Sequence, residues 1–420
     1  MYQTYRLSNG IRVVCEYIEY VHSVSVGVFI KSGSRDEPKE LQGISHFIEH
    51  MLFKGTESKS AFDIAERIDT AGGSLNAYTS KEYTCFYAKM LEENIETAVE
   101  VLADMLRNPL LSDSDVELEK NVVYEEIAMY EDSPEDLVHE ILLEAGWGEN
   151  SGLGSSVLGT HETLEKIGSD TLREYMHKMY VPSNCVISVA GKFDKSLPDM
   201  LEKYFGTWEN GESISARGDE KYKNGIIVRS RDVEQVHFCI GFPSYASEDL
   251  KNYPLLAFNN IFGAAMSSTL FQEVREKRGL VYSIYSYITS FADAGMFVIS
   301  ASMKPDNLGE VLKIVFEQAK NAKDVRFDEK KLYKAKQQLK GNYIMGLESA
   351  SSRMQSIGRG MLLTGRVKTP EEIIEKLNGI NVQSVHECVN EIMDFDKMSA
   401  CLIGNTENCT ETFEKYFKRS

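Results

Sequence analysis

The chain has 420 residues, 42% hydrophobic and 26% charged, and a formal net charge of -18 at pH 7. That length exceeds one comfortable hydrophobic core, so two domains are expected. The acidic balance, with no basic stripe to offset it, argues against a nucleic-acid binder, and no apolar run of about 18 residues is present to span a membrane. The acid serves solubility and, where it lines a cavity, would favour basic substrates.

In chain order, Met1 to Gly10 contains neither an apolar signal core nor an Arg-rich amphipathic leader, which gives the expectation of cytoplasmic residence. Val24 to Ile30 alternates as a strand does. Gly43-Ile44-Ser45 then reads as a turn and cap before His46-Phe47-Ile48-Glu49-His50, with Met51-Leu52-Phe53 following, so the histidines sit on a largely apolar helix. Ser74 to Ser80 leaves the Gly72-Gly73 turn as a strand. Charged helices fill the region around 91–131, and Val186 to Gly191 is a strand that ends at glycine before a final Glu202-Lys203-Tyr204-Phe205 helix.

The same plan is then written again. Val236 to Phe242 alternates, charged helices occupy the region around 306–350, and Ala400 to Gly404 is a strand ending at glycine before Glu414-Lys415-Tyr416-Phe417. A duplication of two α+β domains follows, residues 1–210 and 226–420, joined by a polar, glycine-punctuated linker at 211–225. The seven cysteines, at 15, 85, 185, 239, 388, 401 and 409, form no C-x-x-C pair and read as small buried hydrophobes in a reducing compartment.

Chemistry concentrates at His46, Glu49 and His50. Residues four apart project from one helix face, so His46 and His50 can share a zinc ion while Glu49 lies beside them as a general base, the H-x-x-E-H order. A catalytic zinc usually takes three protein ligands and keeps one open position. The helix Val116 to Tyr130 is the supply: Glu119 and Glu126, seven apart, share a face with Val123, Ile127 and Tyr130. Periodicity alone does not separate Glu126 from Glu125, which also borders apolar Val122 and Met129. The second half carries Asp249-Leu250-Lys251-Asn252-Tyr253 at the corresponding place, so only the first half can bind a metal this way.

Asn9-Gly10, His46 to His50 followed by Phe53-Lys54-Gly55-Thr56, and Asn76-Ala77-Tyr78-Thr79 together resemble the inverzincin metallopeptidases of the pitrilysin and insulinase family (family M16), especially its shorter members similar to the mitochondrial processing peptidase. The resemblance covers nearly the whole chain. It implies the LuxS/M16-peptidase-like metalloenzyme fold, two duplicated α+β domains, each a mostly antiparallel sheet packed with helices. It also implies one Zn²⁺ per chain held by His46, His50 and a glutamate 76 residues beyond the second histidine, which selects Glu126, with Glu119 supporting the site. By the same resemblance, the backbone at Asn76 and Ala77 binds extended peptide by strand addition. Arg275 and Tyr282 of the second half would reach a substrate carbonyl and the developing oxyanion.

Related chains often carry Gly-Gly-Gly-Met-Ser-Ser-Arg before that element, where this one has Gly263 to Thr269 with two glycines and the arginine replaced. The expected protein is a zinc endopeptidase of peptides or unfolded segments, working as a homodimeric clamshell. The alternatives are a non-catalytic structural subunit and the active half of an obligate heterodimer.

Overall fold

The computed structural model describes residues 2–209, 211, 220–324 and 328–417. Of the expected linker, residues 212–219 lie outside the described residues. The chain divides into two compact units, neither of which is a continuous piece of sequence. The first comprises Met1–Ala128, Ser156–Asp219 and Ile344–Lys368, and the second comprises Met129–Ser155, Glu220–Tyr343 and Thr369–Ser420.

In the first unit, β1 (Tyr2–Arg6), β2 (Arg12–Tyr17), β3 (Ser23–Ile30), β4 (Ser74–Thr79), β5 (Thr84–Leu91) and β6 (Cys185–Gly191) form one sheet in the order β1-β2-β6-β3-β5-β4. Every pairing is antiparallel except that of β2 with β6. All seven residues of β6 are buried, because both faces of the sheet are covered. On one face Val24, Val26, Val28 and Ile30 pack with α1 (Ile44–Leu52) and α3 (Ile95–Arg107), near α2 (Ala61–Thr70). On the other, Phe29 packs with Met354 and Ile357 of helix Ala350–Thr364. A Cβ on Gly358 would lie 2.2 Å from the Phe29 ring, so this close approach requires glycine.

The second unit repeats the plan with β7 (Ile226–Ser230), β8 (Val236–Ser244), β9 (Ser283–Ser290), β10 (Gly295–Met303) and β11 (Ser399–Gly404), in the order β7-β11-β8-β10-β9. Only β7 and β11 run parallel. In each unit the last strand pairs in parallel with an early one, β6 with β2 and β11 with β7, and the middle hairpin supplies an edge strand, β4 or β9. Phe238, Ile240 and Phe242 face a core with Leu255 and Phe258, while Cys239 on the opposite face meets Leu137, Ile141 and Leu142 of α5 (Pro134–Trp147). Each sheet is therefore completed by a helix from the other half of the sequence. The architecture is two-domain α+β, with mostly antiparallel sheets packed with helices.

The charged stretch 91–131 becomes two helices, α3 and α4 (Asp113–Glu131), separated around Pro109. Its counterpart becomes Leu308–Asp324 and Glu329–Gly346, with residues 325–327 outside the described residues. All seven cysteines are buried and unbridged. Among the described residues no helix is long and apolar enough to cross a membrane.

Candidate metal centre

Helix α1 is built to be buried: Ile44, Phe47, Ile48, Met51 and Leu52 are fully enclosed. It starts at Gly43, whose φ of 93° lies in the left-handed region and where a Cβ would meet the Leu158 carbonyl oxygen at 2.6 Å. The expected turn is there, but no side chain of Gly43–Ser45 caps the helix. Glu37 does so from six residues upstream, its Oε2 accepting from the Gly43 N–H at 2.7 Å and its Oε1 from the Ser45 N–H at 2.8 Å. Burial pushes the Glu37 carboxyl up to about 7, against the pull of those two N–H groups.

On α4, Val116, Glu119, Val123 and Ile127 form the buried face, with Glu126 half-buried beside it and Glu125 exposed. This resolves the ambiguity that periodicity left. His46 Nε2 and His50 Nε2 lie 3.7 Å and 3.4 Å from Glu126 Oε2, and one ligand atom from each of these three residues lies within 4.8 Å of the others. Ligands bonded at about 2.1 Å around a tetrahedral zinc stand about 3.4 Å apart, so the donor set fits such an ion and leaves a fourth position open. The two imidazole rings stand at 64° with centroids 4.6 Å apart. His50 Nδ1 is 2.9 Å from Glu119 Oε1, and a proton shared there would leave the Nε2 lone pair available to a metal ion. His46 Nδ1 is buried with no hydrogen-bond partner among the described residues.

The electrostatics follow from this crowding. Burial, then the neighbouring His50, pushes His46 down to about 4, with Glu126 opposing. Burial also pulls on His50, but its bonds to Glu119 and Glu126 prevail and lift it to about 9. The two imidazoles are thus pushed apart, His46 down by burial and His50 up by two carboxylates. Glu119 is desolvated, yet His50 and Lys54 hold its carboxyl below the usual range, and Lys54 Nζ pairs with its second oxygen, Oε2. Glu126 is also lowered, first by its bond to His50.

Glu49 stands apart from these three candidate ligands. Thr79 Oγ1 donates to Glu49 Oε2 at 2.5 Å, and burial raises the Glu49 carboxyl although Thr79 opposes the shift. Thr79 ends β4, which pairs only with β5 among the described strands and so presents a free backbone edge. Asn76 is exposed on that edge, its Oδ1 accepting from the Ala77 N–H, and Ala77 is buried opposite Phe86. The hydroxyl contact therefore joins the edge strand to the carboxylate on α1.

Arg275 and Tyr282 belong to the second unit. Arg275 is exposed at the end of the π-helical turn Phe271–Glu276, its guanidinium 5.0 Å over the Phe271 ring, and Tyr282 is 71% exposed just before β9. The corresponding helix of this unit, Asn252–Asn259, carries no histidine. Sequence reasoning did not single out Glu37, Lys54 or Thr79. Lys54 and Thr79 lay within stretches that carry the family resemblance, which was the only signal for them.

Two α+β repeats, one of them carrying an H-x-x-E-H helix and a glutamate from a second helix, define a metallopeptidase-like architecture. A family model described as Insulinase (Peptidase family M16) matches residues 12–161, and one described as Peptidase M16 inactive domain matches residues 166–339. The chain is 43% identical to the uncharacterized zinc protease YmxG of Bacillus subtilis, across 94% of this chain and 97% of that protein. It is 34% identical to an uncharacterized zinc protease of Streptomyces coelicolor, across 92% and 86%. A crystal structure of a protease from Helicobacter pylori superposes with a TM-score of 0.90, at 22% identity, over 96% of this chain and 99% of that one, which speaks to fold alone. The chain belongs to the insulinase family, peptidase family M16.

Proposed function

We propose that this protein is a zinc-dependent endopeptidase of peptides and extended, unfolded segments. The observation that carries the reading is the convergence of His46 Nε2, His50 Nε2 and Glu126 Oε2, with Glu49 one position from His50 on the same helix. One zinc ion per chain, held by those three residues, would supply a Lewis acid that acidifies a water at its open position and polarises a peptide carbonyl. With Glu49 Oε2 engaged by Thr79, Oε1 is the oxygen that takes the proton from the attacking water and returns it to the leaving amine nitrogen. Glu119 holds His50 in the ligating orientation.

The free edge of β4, at Asn76 and Ala77, receives the substrate as an added strand, a mode that reads backbone more than side chains. Arg275 and Tyr282 contact the substrate carbonyl and oxyanion in this reading, on the strength of the family resemblance and their exposure. That resemblance also supports a homodimeric clamshell, and the seven unbridged cysteines support a reducing, cytoplasmic setting.

The test is Glu49→Gln, which should retain zinc and lose peptide cleavage by a factor of at least roughly 10². Near-normal turnover would sink the assignment of Glu49. A diverse peptide mixture digested with and without a chelator, and read by mass spectrometry, reports the cleavage preference. Activity and mass of the chain purified alone separate this reading from an inactive structural subunit or half of a heterodimer. If sites form across a dimer, mixing Glu49→Gln with Arg275→Ala chains restores activity, whereas proven heterodimers without recovery exclude that arrangement.

A further inference from the structure

We propose that Lys54 is a positioning residue of the metal centre: its ammonium fixes the Glu119 carboxylate, which in turn holds His50 with Nε2 toward the ion. This rests on the reading of His46, His50 and Glu126 as ligands.

Lys54 follows His50 by four residues, just beyond the end of α1. Its backbone N–H donates to the Met51 carbonyl at 3.1 Å, so the chain turns as it leaves the ligand helix. The side chain reaches Glu119 Oε2, while Oε1 of the same carboxylate meets His50 Nδ1 at 2.9 Å. Each oxygen has its own donor, so the carboxylate cannot rotate without losing one of them. The Glu119 side chain is 5% exposed and that of Lys54 36%. A carboxylate buried to that degree depends on its partners, since water replaces a lost donor poorly.

The charge pattern points the same way. Glu49, Glu119 and Glu126 place three carboxylates around two imidazoles, and one divalent ion compensates only two of those charges. Lys54 compensates the third at the carboxylate that does not ligate. Orientation of His50 is all the more important because His46 Nδ1 has no partner among the described residues, leaving one of the two imidazoles without such a tether. Ligand and support thus come from one turn of chain, with α4 supplying both the third ligand and the link between them.

The experiment is zinc affinity of the full, metal-stripped chain, measured by competition with a chromophoric chelator, for wild type, Lys54→Met, Lys54→Arg, Glu119→Gln and the Lys54→Met/Glu119→Gln double variant. Lys54→Met should weaken zinc binding roughly 10- to 100-fold, the range for loss of an outer-shell partner. Lys54→Arg should stay within about threefold of wild type, and Lys54→Met should add less than about threefold once Glu119 is already glutamine, because it acts through that residue. Circular dichroism checks the fold, and Lys54→Gln replaces Lys54→Met if the latter does not fold. The proposal is overturned if the neutral variants bind zinc as tightly as wild type, or lose the same factor with and without Glu119. A wild-type chain that binds no zinc overturns the metal-centre reading itself, a distinguishable result.

Discussion

Two neighbouring glutamates on α4 show how sharply a single position decides chemistry. Glu126 faces both imidazoles while Glu125 faces water, although their sequence surroundings are nearly alike. Glu126→Gln should lower zinc affinity by more than about 100-fold, since it removes a ligand charge, and Glu125→Gln should leave it unchanged. Isothermal titration with zinc checks both. Thr79→Val is expected to leave zinc affinity alone and to cut kcat roughly tenfold, the scale of one lost hydrogen bond to a charged group. Steady-state kinetics beside zinc titration separate that outcome from damage to the ligand set.

The grouping of His46, Glu49 and His50 was legible because one helical turn compresses them into a five-residue pattern. The contacts of Thr79 and Lys54 were not, since each meets a residue 30 or 65 positions away, and nothing local marks such a threonine or lysine.

At the scale of elements, α1 depends on a cap that its own residues do not provide. Glu37→Ala should cost about 1–2 kcal/mol of stability, the upper part of the range for a lost N-cap, measured by denaturant unfolding. The same carboxyl gives a pH signature. Its folded value of about 7 exceeds the ordinary 4.5, so the folded state holds the proton more tightly, and stability from this group rises as pH falls from about 7 toward 4.5. The difference in stability between wild type and Glu37→Gln should therefore shift in favour of wild type across that window. A difference flat with pH would contradict the assignment. The strands at Val24 to Ile30 and Val236 to Phe242 were readable from alternation. Capping by Glu37 was not, because such a cap lies outside the short Ser/Thr/Asp pattern next to a helix.

For the whole molecule, the duplication was visible in sequence as a repeated plan, and the strand orders bear it out. What sequence order concealed is that α5 completes the second unit and helix Ala350–Thr364 completes the first. Residues 1–210 expressed alone should then expose Phe29, Val14 and Val186 on an uncovered sheet face, and aggregate or melt well below the full chain. Soluble, cooperatively unfolding material would contradict this. Gly358→Leu, at the point of closest approach to Phe29, should cost about 1–3 kcal/mol by overpacking, again read by denaturant unfolding.

The placement of helix Ala350–Thr364 also sets the order of events during synthesis. The proposed metal ligands have all been made by position 126, yet the sheet that supports them keeps a bare apolar face until residue 364 emerges. At about 5–20 residues per second, roughly 10–30 s separate the end of β6 from that moment. A nascent chain therefore carries His46, His50 and Glu126 long before it has a finished frame to hold them, which delays the maturation of the first unit until most of the second has also left the ribosome.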